Sequence, residues 1–307
     1  MDHSALSGAA GRGELVAWFQ PQIDLASGRV VAAEALARWQ HPQSGLVPPT
    51  DFIPVAEESG AIHEIGEFML EQGCALAAEL DDVEISVNVS PVQLTRSDFA
   101  SRVIAAFERH GLRRGQLSVE ITEGRPVLDL PDAVAQLERV RDSGVGVSLD
   151  DFGSGFASLK QLNALPFTEL KIDQSLIRND TEETWTRLAS IVAIVRQRGM
   201  RIVAEGIETR EQYERVRDAD CDRGQGYFIG MPMPRSEFLE YLRANVRTAL
   251  PAIGAVARRA LLRAGIRNLE DAATHTRSDV RALRGIGPAT MARLDTALAA
   301  ASLAFSA

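Results

Sequence analysis

The sequence predicts an α/β fold, a (β/α)8 barrel, followed by a small all-α domain. Eight strand-like patterns alternate with helical patterns over roughly the first 246 residues, which is the element order of such a barrel. A chain of 307 residues can hold one large domain of about 250 residues and a small one. The net charge changes from −13 over residues 1–249 to +4 over residues 250–307, which indicates two parts with different roles.

The composition argues against several classes of protein. No apolar run approaches the roughly 20 residues of a membrane span, and residues 1–13 lack the apolar core of a signal peptide. We therefore expect a cytoplasmic protein. The two cysteines and five histidines are scattered without metal-ligand spacing, so any metal is expected to be bound through oxygen, which favours Mg²⁺ or Mn²⁺.

The first two predicted strands form a hairpin. Residues 15–25 and 29–39 are strand-like and flank a Ser-Gly turn at 27–28. Glu34 lies inside an otherwise apolar run, where an unpartnered carboxylate is costly. We interpret Glu34 as a ligand rather than as a partner of Arg38 in a salt bridge at the end of the strand.

Helical and strand-like patterns alternate from there to residue 246. The predicted helices cover residues 48–80, with Thr50 as N-cap, and 98–110, 132–142, 156–162, 182–198, 211–219 and 235–246. The remaining strands cover residues 83–90, 116–123, 146–151, 169–173, 201–205 and 224–230.

Charged or amide side chains occur at the carboxyl ends of most of these strands. They are Glu34, Asn88, Glu120, Asp150, Asp151, Lys171, Asp173, Glu205 and Gln225. A barrel gathers the carboxyl ends of its strands at one rim, where active sites of this fold lie. We therefore expect these side chains to form one functional site.

Five carboxylates and one amide are the hard ligands that Mg²⁺ and Mn²⁺ prefer. Their number predicts two ions about 3.5–4 Å apart, bridged by Asp150, that act in a phosphoryl displacement. Lys171, one of only two lysines, would orient or help deprotonate the attacking water and stabilise the developing charge.

A Schiff-base aldolase using Lys171 is the competing interpretation, but acidic neighbours would keep that amine charged. Motifs of serine hydrolases and of P-loop proteins are absent from the sequence.

Nine short segments resemble the EAL-domain cyclic di-GMP phosphodiesterases in order and spacing, over residues 14–246. They are Phe-Gln-Pro at 19–21, Glu-Ala-Leu-Ala-Arg-Trp at 34–39, Phe-Ile-Pro at 52–54, Ser-Val-Asn at 86–88, Glu-Ile-Thr-Glu at 120–123, Asp-Asp-Phe-Gly at 150–153, Lys-Ile-Asp at 171–173, Ala-Glu-Gly at 204–206 and Gln-Gly-Tyr at 225–227. The resemblance implies an antiparallel first strand, hydrolysis of cyclic di-GMP to linear pGpG with Mg²⁺ or Mn²⁺, and a homodimer formed through the barrel.

The resemblance also implies roles for individual residues. The implied metal ligands are Glu34, Asn88, Glu120, Asp150, Asp151 and Glu205. The residues implied to assist catalysis are Lys171, Glu205 and Gln225, and those implied to contact substrate are Gln20, Leu36, Arg38 and Asp173. Glu123 would support the loop after Asp151, which is tied to the dimer interface, and Glu208 would act similarly.

The sequence departs from the family pattern at three positions: Ala37 replaces a larger apolar residue, Gly124 a serine and Phe156 a tyrosine. None of them removes a ligand. A receptor that binds cyclic di-GMP without hydrolysing it remains the alternative.

The domains predicted are an N-terminal extension (1–13), the barrel (14–249) and a helical domain (250–307). In the last, Leu-Arg-Gly-Ile-Gly-Pro at 283–288 resembles a helix-hairpin-helix module, and the whole tail is similar to the C-terminal domain of bacterial RNA polymerase α subunits. Backbone amides at the glycines, with Arg284 and Arg293, would suit a phosphate backbone. DNA and a protein are both kept as candidate partners of this domain.

Overall fold

A computed structural model describes residues 6–122, 132–153, 162, 165–179 and 181–306. The chain divides into two compact units, one of Met1–Gln22 with Val31–Leu239 and the other of Ile23–Val30 with Glu240–Ala307. The domain boundaries predicted at residues 13 and 249 stay predictions.

The first unit is built on one sheet. Its strands, within the described residues, are β1 Leu15–Asp24, β2 Val30–His41, β3 Gly45–Val47, β4 Glu84–Val89, β5 Leu117–Thr122, β6 Gly146–Phe152, β7 Glu169–Ile172, β8 Arg201–Ala204, β9 Arg223–Gln225 and β10 Met233–Pro234. Strands β2 and β4 to β9 pair in parallel, each with the next. Strand β1 pairs with both β9 and β2 and closes an eight-stranded barrel. The predicted barrel is therefore confirmed.

The barrel begins with a hairpin. Strands β1 and β2 are neighbours in the sheet and are joined by residues 25–29 alone. Such a short connection can join only antiparallel strands. The sequence did not predict the two short strands β3 and β10, which pair antiparallel with β2 and β1.

Helices follow most strands of the barrel. They are α1 Pro49–Ser59, α2 Ile62–Glu79, α3 Phe99–Arg109, α4 Ala133–Ser143, α5 Gln174–Arg178, α6 Glu182–Arg196, α7 Arg210–Asp218 and α8 Arg235–Ala244. The single helix predicted over 48–80 is wrong, because Gly60 adopts a left-handed conformation with φ of 81° and ends α1. Its predicted cap is also wrong, since Pro48 and not Thr50 precedes the helix. The helix predicted over 156–162 lies, except for Leu162, outside the described residues.

The strand predicted over 224–230 is wrong beyond Gln225. Gly226 has a φ of 153°, and a Cβ atom there would lie 2.2 Å from the backbone oxygen of Ile207. The chain then turns, with the amide of Gly230 donating to the carbonyl of Gly226 at 2.9 Å. Only glycine permits this close approach of two backbones, which fixes the position of the preceding Gln225.

A group of buried ion pairs lies inside the barrel at the amino ends of its strands. Arg223 donates to Glu84 at 2.9 Å and contacts Glu169 at 3.5 Å, and Arg201 contacts Glu169 at 2.7 Å and Glu84 at 3.1 Å. Glu84 and Glu169 are 3% and 2% exposed. The sequence did not predict this group, although Glu169 stands two residues before Lys171, and Arg223 two before Gln225, on the same face of their strands.

The second unit contains a helical bundle: α9 Ala255–Arg263, α10 Leu269–Ala273, α11 Arg277–Ala282 and α12 Pro288–Ala300. Its apolar core is formed by Leu261, Ile266, Leu269, Ala272, Val280, Met291, Leu294 and Leu298. Gly285, with φ of 106°, lies in the turn between α11 and α12. The predicted all-α character of this segment agrees with these helices, while its assignment as a helix-hairpin-helix module stays a prediction.

In the described part of the chain, no helix combines the length and the apolar content that a membrane crossing requires. The cytoplasmic location stays a prediction.

Candidate active site

The ammonium group of Lys171 lies at the centre of the predicted site. Its Nζ atom is 2.5 Å from Glu120, 2.7 Å from Glu205, 3.1 Å from Asp150 and 3.4 Å from Glu34. The lysine is fully buried inside the barrel. The four carboxylates come from different strand ends, so barrel closure brings together residues up to 171 positions apart, as the sequence predicts.

Glu34, which contacts Lys171, also accepts hydrogen bonds from two amide side chains. Asn88 donates to Glu34 at 2.6 Å and Gln225 donates to it at 2.7 Å. Gln225 also donates to Gln20 at 3.0 Å and accepts a hydrogen bond from Gln22 at 2.8 Å. Gln22, which is 1% exposed, was not predicted as a site residue. Its position two residues after Gln20 on β1, and so on the same face of the strand, was the available signal.

Asp150 and Asp151 both reach the site because β6 is irregular there. Adjacent residues of a regular strand point to opposite faces. The pairing of β6 with β7 shifts register between Leu149 and Phe152, and Asp151 has a left-handed φ of 59°. This bulge allows one oxygen each of Asp150, Asp151 and Glu205 to lie within 4.8 Å of one another.

Among the described residues, two groups of carboxylates could hold a metal ion. Glu34, Glu120 and Asp150 form the first, and Asp150, Asp151 and Glu205 form the second, so Asp150 is common to both. The Nδ2 atom of Asn88 is bound to Glu34, which leaves its carbonyl oxygen as the atom that could bind a cation. With all five carboxylates ionised against one ammonium, the cluster would carry a net charge of −4. Oxygen donors and this charge fit two divalent cations.

The pKa values of these carboxyl groups follow from burial and mutual repulsion. Burial, opposed in part by Lys171, raises the pKa of Glu120 and Glu205 well above the usual range and raises that of Asp150. Burial and the charge of Asp150 raise the pKa of Asp151 to about 6. Burial also disfavours ionisation of Glu34, but Lys171, Gln225 and Asn88 outweigh it and lower its pKa.

Lys171 is held in its charged form. Burial favours the neutral amine, but Asp150, Glu120, Glu205 and Glu34 raise its pKa well above the usual value. A Schiff-base nucleophile must be neutral to attack a carbonyl carbon. The geometry therefore gives the aldolase interpretation no support.

A cavity of about 450 Å³ opens over the cluster. The residues predicted to contact substrate, Gln20, Leu36, Arg38 and Asp173, all line it. The Arg38 guanidinium carbon lies 5.3 Å from the centre of the Trp18 ring, a cation–π contact that holds Arg38 in place. Asp173 has a structural role as well, because its carboxylate accepts a hydrogen bond from the Ser175 amide at the start of α5.

The two remaining predicted residues lie apart from the cluster or outside the described structure. Glu208 lines the same cavity and forms an ion pair with Arg178 at its rim. Glu123, Gly124 and Phe156 lie outside the described residues.

Residues 3–232 match the model of the EAL domain. The chain is 38% identical over 236 residues to the bifunctional diguanylate cyclase/cyclic di-GMP phosphodiesterase MucR of Pseudomonas aeruginosa, covering 74% of this chain and 34% of MucR. It is 32% identical over 235 residues to the cyclic di-GMP phosphodiesterase RocR of the same organism, covering 75% of this chain and 60% of RocR. The chain thus spans about a third of the length of MucR and less than two thirds of RocR.

The chain is also similar to solved structures of EAL domain proteins. The structure described as the PaMucR phosphodiesterase in complex with c-di-GMP has a TM-score of 0.71 and 36% sequence identity, and the match covers 76% of this chain and 98% of that one. An EAL domain protein from Listeria monocytogenes EGD-e has a TM-score of 0.72 and 26% identity, with 80% of this chain and 98% of that chain covered. The barrel closure, the acidic cluster and these matches lead to one conclusion: the chain belongs to the EAL domain family.

Proposed function

We propose that this protein hydrolyses cyclic di-GMP to linear pGpG in a reaction that depends on divalent cations. The observation that carries the proposal is the cluster of five carboxylates, four of them within 3.4 Å of the Lys171 ammonium, next to a cavity of about 450 Å³. That volume lies within the range of small-molecule sites in proteins. The names of MucR and RocR support cyclic di-GMP as the substrate.

Two ions, Mg²⁺ or Mn²⁺, are proposed as cofactors. Glu34, Asn88 and Glu120 would hold one ion, Asp151 and Glu205 the other, and Asp150 both. When bound, such ions neutralise phosphate charge and activate water at neutral pH. The net charge of the ionised cluster is a second support, because two divalent ions balance it.

The other residues of the site would bind the substrate and orient the attacking water. Lys171, whose pKa is raised by its acidic neighbours, would donate hydrogen bonds and stabilise negative charge that develops on the phosphate oxygens. Gln225, held by Gln20, Gln22 and Glu34, presents a fixed amide to the attacking water. Water adds to phosphorus, the bond from phosphorus to the 3′ oxygen breaks, and that oxygen leaves with a proton. Arg38, with Leu36 and Asp173, would contact the substrate along the cavity wall.

A product assay tests the proposal. The full chain is incubated with cyclic di-GMP and Mg²⁺ or Mn²⁺, with and without a chelator, and nucleotides are separated by chromatography. We expect pGpG only when the ions are available. Cyclic di-GMP that binds but stays intact under both ions would favour the receptor alternative instead.

Metal binding is expected to release protons. Because the raised pKa values of Glu120, Asp150, Asp151 and Glu205 keep protons on the metal-free cluster, an arriving cation must displace them. Affinity for Mg²⁺ should therefore rise as the pH increases from 5.5 to 8. Calorimetric titrations at pH 6.5, in two buffers of different ionisation enthalpy, should give different apparent enthalpies; identical values would contradict this linkage.

The second unit is proposed to bind a partner, either DNA or a protein. Two of its acids are paired internally, Asp271 with Arg267 and Asp295 with Arg277, so its net positive charge resides on other arginines. Deleting residues 251–307 should change turnover, oligomeric state or retention on DNA. If all three measurements match those of the full chain, this proposal fails.

Dimer formation through the barrel also stays a prediction.

A further inference from the structure

Three serine hydroxyl groups face the inside of the barrel below the active site. Ser86, Ser118 and Ser148 lie on the neighbouring strands β4, β5 and β6 and are 3%, 1% and 0% exposed. Each stands two residues before a site residue of its own strand, which places both on the same face. Those site residues are Asn88, Glu120 and Asp150.

These hydroxyls have no hydrogen-bond partner within the described residues. The Oγ atoms of Ser86, Ser118 and Ser148 and the Oε1 atom of Glu120 are the buried side-chain atoms in that condition. A buried polar group that lacks a hydrogen-bond partner destabilises the folded protein. Proteins normally satisfy such groups with other protein atoms or with ordered water. Four such atoms lie in one region of this barrel, which indicates that the same bound molecules satisfy them.

The pairing of β5 with β6 brings one serine next to Glu120. Glu120 and Ser148 are register partners, and side chains at paired positions of neighbouring strands lie on the same face, with backbones about 4.8 Å apart. Ser86 and Ser118 are likewise register partners. Ser148 therefore lies beside Glu120, while Ser86 and Ser118 lie two residues nearer the amino ends of β4 and β5 on the same inner face.

We propose that internal water molecules are bound among these three hydroxyl groups and that one of them, beside Ser148, donates a hydrogen bond to Oε1 of Glu120. A buried water needs two to four polar partners, and hydroxyl groups can both donate to it and accept from it. The serines are uncharged, and the other oxygen of Glu120 already contacts the Lys171 ammonium. The space among the three hydroxyl groups therefore suits a neutral molecule better than a cation. The serines then act as positioning residues that fix Glu120 for cation binding, which rests on the proposed function.

Cation affinity measured without substrate tests this role. Ser148→Val in the full chain replaces the hydroxyl by apolar atoms and should weaken Mn²⁺ binding about 10-fold, the size expected when an outer partner of a ligand is lost. Ser148→Ala leaves room for a further water and should therefore weaken Mn²⁺ binding less than Ser148→Val does. The matched control is Val147→Ala, at a fully buried position on the opposite face of β6. It should lower thermal stability while leaving Mn²⁺ affinity unchanged.

Titration calorimetry with Mn²⁺ on all four proteins gives the comparison. Unchanged affinity in a folded Ser148→Val protein would overturn the inference. So would a loss in Val147→Ala equal to that in Ser148→Val, since the effect would then be merely structural. If Ser148→Val does not fold, a high-resolution crystal structure of the unaltered protein decides, because it must show ordered water within hydrogen-bond distance of Ser148 and Glu120. Wild-type protein that binds Mn²⁺ but makes no pGpG would contradict the proposed function alone.

Discussion

Replacing Glu34 by alanine is expected to reduce the hydrolysis of cyclic di-GMP by about 10³-fold, equivalent to ~4 kcal/mol in activation free energy. The change removes a proposed cation ligand and also the acceptor of hydrogen bonds from Asn88 and Gln225. Both amides would then lose their orientation, and Lys171 would lose one of its carboxylate neighbours. Initial rates of pGpG formation under saturating Mg²⁺ measure the effect.

Glu58→Ala is the control for this substitution, because Glu58 is an exposed glutamate of α1. It should keep the wild-type rate. A Glu34→Ala protein that retained more than a tenth of the activity while folded would show that the site works without this ligand.

Replacing Lys171 by methionine should destabilise the metal-free protein by about 3–5 kcal/mol, the range seen when one partner of a buried ion pair is removed. The carboxyl groups of Glu120, Glu205 and Asp150 would then lack their cationic partner, and those still ionised would have to take up protons or be exposed to water. Because divalent cations can take over that charge, Mg²⁺ should restore more stability to the variant than it adds to the wild type. Denaturant unfolding with and without Mg²⁺ measures both quantities.

Turnover by the Lys171→Met protein should remain low even when Mg²⁺ has restored its stability, because the donated hydrogen bonds and the fixed charge are gone. Lys160→Met, the same chemical change at the only other lysine, is the control. Equal loss of stability in both variants, or none in Lys171→Met, would contradict the central role of Lys171.

The sequence predicts much of the fold and most of the site for one physical reason. In a barrel the carboxyl ends of the strands meet at one rim whatever the details of packing. The sequence alone therefore predicts that acids such as Glu34, Glu120 and Glu205 lie close together. The alternation of strand and helix patterns was strong enough to give eight strands. The resemblance to a known family then supplied the roles that a pattern alone leaves open.

Features that depend on local departures from regular geometry could not be predicted. The sequence predicts both Asp150 and Asp151 at the site, but the alternation rule places them on opposite faces, and the bulge in β6 that brings both there was not predicted. The break at Gly60 was not apparent because apolar spacing continues on both sides of it. The ion pairs of Glu84 and Arg223 join residues far apart in the chain, and nothing in either local segment indicates its partner.

The enclosure of Lys171 has a practical consequence for chemical labelling. The chain has two lysines, and this one is inaccessible to solvent while the barrel is closed. A reagent that modifies primary amines can reach its Nζ atom only after the side chains and strands that enclose it move apart. The rate at which this amine is modified, followed by mass spectrometry of peptides, therefore reports how often this enclosure opens under native conditions.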